Sequence, residues 1–353
     1  MKKLFLILLL VSVSILQSLA FDYTDERGVT WSCGGICSND PITYITSASG
    51  YGDEVVIPEK VYDGTKEYTV TGIEFTFQEN KTLEKVTWPS TVTVIPYYMF
   101  QNCSSLKTVE NIKKVTSIGG SAFNGCNSLM ALDLGLCRIG NSAFENCSNL
   151  QSIGESAKCT SVDDWAFYGC SSLEKIDLSM CTSVGSRAFY GCSSLQTVGN
   201  PKLTSIPDYA FNGCSSLEKI DLSMCTSVGS YAFNSCSKLQ NVNTSICTYI
   251  GDNAFYGCSS ITEADLSACK KLGTSAFENC SSLQSVGNPK LSSIPDQAFS
   301  GCSSLENIDL SMCTSVGSIA FSGCSKLQNV NTYICTSIGS NAFSGCSLTG
   351  SYT

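Results

Sequence analysis

Apolar residues along this chain return on one short pattern. In Leu173-Glu-Lys-Ile176-Asp-Leu178-Ser-Met-Cys181-Thr-Ser-Val184-Gly185 the first, fourth and sixth positions are apolar, and a cysteine follows three further on. Ile176 and Leu178 alternate around Asp177, the period of a half-buried strand. The chain then turns at Val184-Gly185, and Ala188-Phe189 pack back into the core from the convex side. Phenylalanines stand at 100, 123, 144, 167, 189, 211, 233, 255, 277, 299, 321 and 343, with gaps of 23, 21 and 23 and then 22 eight times. Each is followed three positions later by a cysteine, from Cys103 to Cys346. Phe77 stands 23 before Phe100 with Asn80 in the cysteine position, as a degenerate first turn. This register predicts a solenoid, in which one turn buries its apolar side only against its neighbours.

The fold expected is a right-handed coil with a parallel β-sheet on its concave face, of about 13 turns of 22–23 residues. At about 4.8 Å between strands the rod is roughly 60 Å long. The unit Leu173 to Cys181 matches the strand pattern L-x-x-L-x-L-x-x-N/C of leucine-rich repeats. Ile118-Gly119-Gly120-Ser121-Ala122-Phe123-Asn124-Gly125-Cys126-Asn127-Ser128-Leu129 resembles the repeat unit of BspA-like leucine-rich repeat proteins. It departs in carrying Leu-Ser-Met-Cys where that family has Ile-Pro. The resemblance implies a secreted or surface protein of a bacterium or of a parasitic or commensal protist, used in adhesion and protein binding. It supplies no ligand site. A longer period lies above the short one: Asn200-Pro-Lys-Leu203 returns at Asn288-Pro-Lys-Leu291, a shift of 88 residues. Cassette duplication accounts for it.

Four segments follow. Residues 1–20 carry Lys2 and Lys3, an apolar run and Ser18-Leu19-Ala20, the order of a secretory signal peptide. Residues 21–76 lie out of register and form an N-terminal cap, with strands at Val55–Pro58 and Tyr68–Thr71 and a turn at Asp63-Gly64. Residues 77–346 are the solenoid and 347–353 a short tail, ending where another strand is due. An edge exposed there invites self-association. No later run is apolar enough to span a bilayer.

Composition narrows the function. The net charge is −9, which opposes a nucleic-acid partner, and there is no histidine. Ser-His and Cys-His nucleophile pairs and histidine metal ligands are thereby absent, so a non-enzymatic protein without a cofactor is expected. The 22 cysteines divide into twelve after the phenylalanines, eight after the strand, and Cys33 and Cys37 before the array. Columns of identical inward positions read as buried free thiols, which pack as small hydrophobes. Cys33 and Cys37, in a glycine-rich loop, can pair and staple the cap. Asn80, Asn102, Asn146, Asn243 and Asn279 open glycosylation triplets, although Asn102 and Asn146 directly precede core cysteines.

The binding surface expected is the outward side of the strands. It carries Glu174, Lys175 and Asp177, then Glu218, Lys219 and Asp221, then Asn243, Glu263 and Asp265, then Glu306 and Asp309. With Asp133 the aspartates fall on every second turn, too far apart to share a calcium ion. Asp163-Asp164 reads as an isolated pair in a convex loop. The partner expected is an extracellular or host protein or glycoprotein. The other reading is a surface-coat protein that associates through solenoid ends.

Overall fold

The structure is a computed structural model and describes residues 20–34, 42–199, 201–287 and 289–349. The predicted signal segment (Ala20 apart) and Cys37 lie outside the described residues. Among the described residues every regular element is a strand, and no helix is long and apolar enough to cross a membrane.

The chain opens with β1 (Phe21–Thr24), β2 (Thr30–Gly34), β3 (Ile42–Ser49), β4 (Glu54–Val56), β5 (Lys60–Tyr62) and β6 (Glu67–Ile73). Five of these make one sheet in the order β1-β2-β3-β6-β5. The β5–β6 hairpin closes at Asp63-Gly64, where the Asp63 carboxylate accepts the amides of Thr65 and Lys66 at 2.7 and 2.8 Å. Cys33 is a buried free thiol directed at the Trp31 carbonyl, 3.6 Å away. Next come β7 (Lys85–Thr87), β8 (Val94–Ile95) and β9 (Thr108–Glu110). β4 leaves the first sheet and pairs in parallel with β7, which pairs with β9. The stacked coil therefore starts at Val55, ahead of Phe77.

From β8 on the chain is a coil of about 11 turns of stacked parallel strands. The count falls short of thirteen phenylalanines because twelve rungs, from Ile95 to Ile338, enclose eleven intervals. Each turn carries two ladders where the pattern predicts one. The expected Leu-x-x-Ile-x-Leu strand narrows to single bridges such as Lys175 with Thr197 and Lys219 with Asn241. It widens to two residues at Asn307–Ile308 and Asn329–Val330. The second ladder lies at the supposed turn, pairing Ser205–Ile206, Ser227–Val228, Tyr249–Ile250 and Lys271–Leu272 in register.

This second ladder falls into three runs, and the breaks have a cause. The residue after each rung donates its amide to the rung before, as Gly185 does to Val162 and Gly229 to Ile206, both at 2.8 Å. At Pro207 and Pro295 that donor is missing.

Thirteen phenylalanine rings form one column along the coil. Successive centroids lie 5.1–5.8 Å apart with planes within 26° of parallel, from Phe77 to Phe343. Each such offset pair contributes about 0.5–1.5 kcal/mol beyond its buried area. The Phe amide donates to the alanine carbonyl of the next turn, 2.8 Å from Phe189 to Ala210. Each column cysteine donates its S–H to the Phe carbonyl of the preceding turn, 3.1 Å for Cys192 to Phe167 and 3.2 Å for Cys214 to Phe189. The 21 cysteines described are all free, and only Cys335 and Cys346 are less than buried. Outside, hydroxyls make their own ladders, as in Ser215 to the Ser193 carbonyl at 3.3 Å and Thr226 to the Thr204 carbonyl at 3.1 Å. The abundance of serine and threonine thus has a backbone-satisfying role.

Two outcomes are expected. Phe211→Ala opens the ring column at mid-coil and lowers stability by about 3–5 kcal/mol, read from denaturant midpoints. Burial raises Cys103 to about 11 and Cys324 to about 12, and holds Cys214 and Cys258 well above the usual thiol value. Unfolded thiols ionise from about pH 9 while the folded ones stay protonated, so stability falls as pH rises past that point. Each buried thiol adds up to about 1.4 kcal/mol per pH unit to the slope. Melts in reductant between about pH 8 and 10.5 check this, and Cys→Ala at 214, 236 and 258 flattens the slope.

Candidate functional site

On the strand face, Ile176 and Leu178 point inward and are buried, while Glu174 and Lys175 are exposed and Asp177 is half-buried. The same inward–outward division holds for the turns of Glu218, Lys219 and Asp221, of Glu263 and Asp265, and of Glu306 and Asp309, with Asp265 half-buried and Asp221 and Asp309 exposed. Two of these positions are in ion pairs, Lys175 with Glu155 at 2.9 Å and Asp133 with Lys113 at 3.8 Å. The aspartates have a local role. Each accepts the amide of the serine two residues on: Ser179 to Asp177 at 2.8 Å, Ser223 to Asp221 at 2.9 Å, Ser267 to Asp265 at 2.9 Å and Ser311 to Asp309 at 2.8 Å. Asn243 does the same for Ser245 at 3.2 Å. These are Asx turns, which end the strand early and explain why it is so short. The Ser179 hydroxyl and amide hold the Asp177 carboxyl below the usual range, and the amides of Ser223 and Ser311 do so for Asp221 and Asp309.

Between Asp177 and Asp221 the turn carries Gly199 instead. With φ of +68°, a Cβ there would lie 2.9 Å from an Asp177 oxygen. The strand face dips here into an open depression of about 470 Å³, lined by Gly199, Lys219, Asp221 and Asn243.

Asp163-Asp164 is not the isolated pair that its sequence setting suggests. Asp163 holds Arg138 at 2.7 Å. Asp164 is the first of four aspartates, with Asp208, Asp252 and Asp296, that accept the amide of Ser186, Ser230, Thr274 or Ser318 in the next turn at 2.7–2.8 Å. A recurrence every 44 residues was the signal for this series.

A further outer surface went unread in the sequence. From Phe100 on, two positions beside each phenylalanine have left-handed backbone. Two residues after it, the column holds mostly Gly and Asn, as that conformation favours. Two residues before it, Trp165, Arg187, Tyr209 and Tyr231 occupy the left-handed region at φ of 55–59°. For side chains of this size the conformation costs roughly 1–2 kcal/mol per residue. Ring and guanidinium contacts within and between turns offset part of it. Tyr209 stacks on Tyr231 at 4.8 Å, Trp165 meets Tyr168 at 4.9 Å, and Tyr168 stacks on Tyr190 at 4.9 Å. The Arg187 guanidinium lies 4.9 Å from the Trp165 ring and 4.4 Å from that of Tyr209.

Coil, ladders and ring column meet a family description. Six copies of the BspA type leucine rich repeat region match over residues 73–196, 160–284 and 248–352. The chain belongs to the BspA-type leucine-rich repeat family. A leucine rich cell surface protein from Faecalibacterium prausnitzii is 26% identical, with 94% of this chain and 95% of that one covered at a TM-score of 0.51. A leucine-rich repeat protein from Bacteroides ovatus is 23% identical, with 90% and 91% covered at a TM-score of 0.55. The pneumococcal vaccine antigen PcpA is 19% identical, with 94% and 99% covered at 0.51. The last two show the fold alone. No curated protein matches the chain.

In this BspA-type coil the Asn80 and Asn102 side chains of the glycosylation triplets are committed to the frame. The Asn102 amide donates to Glu79 at 2.6 Å, and the Asn80 side chain accepts the Thr82 and Leu83 amides, both at 2.9 Å. Among the described residues no group of three or more Cys, Asp or Glu converges as a metal site.

The Asx turns give a direct test. Asp177→Ala removes the acceptor for Ser179 and destabilises by about 1 kcal/mol, whereas Asp177→Asn keeps an acceptor oxygen and loses much less. Denaturant midpoints of the two variants, measured side by side, decide it.

Proposed function

We propose that this protein is a non-enzymatic binding module that presents its strand face to a protein partner outside the cell, in adhesion to a host or matrix surface. One observation carries the reading. Outward side chains such as Glu218, Lys219 and Asn241 stand exposed in repeated rows on a backbone whose amides and carbonyls are consumed between turns. Such an array offers many modest contacts at fixed spacing and sums them along the rod. The family and the similar leucine rich cell surface protein support an exterior location. A protein or glycoprotein partner suits the mixed Glu, Lys and Asn rows, while the overall negative charge opposes nucleic acid.

The combined variant Asp177→Asn, Asp221→Asn, Asp265→Asn and Asp309→Asn separates charge from folding, because asparagine keeps each Asx turn. Wild type should bind intact epithelial cells or immobilised matrix proteins saturably, and the variant should lose that binding. Self-assembly of the wild type in sedimentation, with no saturable binding, would favour a coat instead.

A further inference from the structure

We propose that the outer turns from Trp165 to Tyr231 form a second binding surface, for an extended peptide segment carrying a carboxylate flanked by apolar residues. It lies apart from the strand face and does not depend on it.

The copied cassette points to this surface. Eighty-eight residues on, the same column holds Asn253, Ser275, Gln297 and Ile319. The frame around it is kept, with Asp208 matched by Asp296, Phe211 by Phe299 and Met224 by Met312. Duplication has thus preserved core and caps and changed this column. Tyr98, Gln297 and Ile319 share the left-handed conformation of these four side chains, and what sets this stretch apart is that its rings and guanidinium stand against one another from turn to turn. Tryptophan, tyrosine and arginine are the side chains that dominate interface energetics.

Arg187 sets the chemistry of the partner. Its guanidinium is held between the Trp165 and Tyr209 rings, and no carboxylate lies within ion-pair distance of it among the described residues. A guanidinium fixed by ring faces keeps its edge N–H groups for a carboxylate, and the apolar ring edges on either side receive the flanking residues. The strip is narrow and long. Three steps of about 4.8 Å from Trp165 to Tyr231 match four to five residues of extended chain at about 3.3 Å each.

The test pans a displayed library of random linear peptides on the full chain. Counter-selection uses the combined variant Trp165→Asn, Arg187→Ser, Tyr209→Gln and Tyr231→Ile. All four replacements already occupy this backbone column elsewhere in the coil, and Arg187→Ser alone serves as a milder second variant. Enriched peptides should carry Asp or Glu between apolar residues. A synthetic representative should bind Arg187→Ser about tenfold more weakly than wild type, and its Glu→Gln version should lose a similar factor. The strand-face variant with four Asp→Asn changes should bind it as wild type does, which keeps the two surfaces distinguishable. The proposal falls if nothing is enriched over the combined variant or if enriched peptides lack a carboxylate. It falls also if Arg187→Ser binds normally, or if the chain takes anionic glycans and no peptide.

Discussion

One column of phenylalanine rings governs this molecule. Rings 5.1–5.8 Å apart lie close enough to stack and only slightly wider than the spacing of paired strands. Every turn must therefore return the backbone to nearly the same point one pitch along. That demand produces the left-handed residues on both sides of the rings from Phe100 on, since the chain has to bend sharply into and out of the core. It also makes cysteine suitable three positions later. The site is small and fully enclosed, and the S–H has a carbonyl of the preceding turn to meet.

Much of what looks like binding chemistry on the surface belongs to this scaffold. The aspartates of the strand face and the series from Asp164 to Asp296 both satisfy backbone amides, one within a turn and one across turns. A polar residue that recurs in every cassette is, in this coil, first a candidate for holding the chain. The reverse case is more telling. The column with Trp165, Arg187, Tyr209 and Tyr231 works against backbone preference and changes between cassettes, as expected where the frame leaves side chains free for other purposes.

The coil was legible because its core is periodic. Phe-x-x-Cys, the inward Ile and Leu, and the buried thiols all follow from spacing, and the family follows from them. Strand placement was less legible. Leu173 to Leu178 has the alternation of a strand, but Asp177 captures the Ser179 amide and turns the chain away, and periodicity does not weigh a side chain that competes for the backbone. Ser227-Val228 is too short to read as a strand and pairs only because its copies lie beside it. Asp164 looked solitary because one member of a 44-residue series has no partner in its own turn. The aromatic column was hidden for a related reason: its left-handed backbone follows from the stack, and the mixed residues two before each ring, unlike the Gly and Asn two after it, do not announce it.

Pro207 and Pro295 give the rod a coarser grain than its turns. Each leaves the second ladder one amide short, while the ring column runs on past it. A coil pulled along its axis is thus not uniform. The two gaps lie 88 residues apart, so the length copied in the gene is also the spacing of these interruptions.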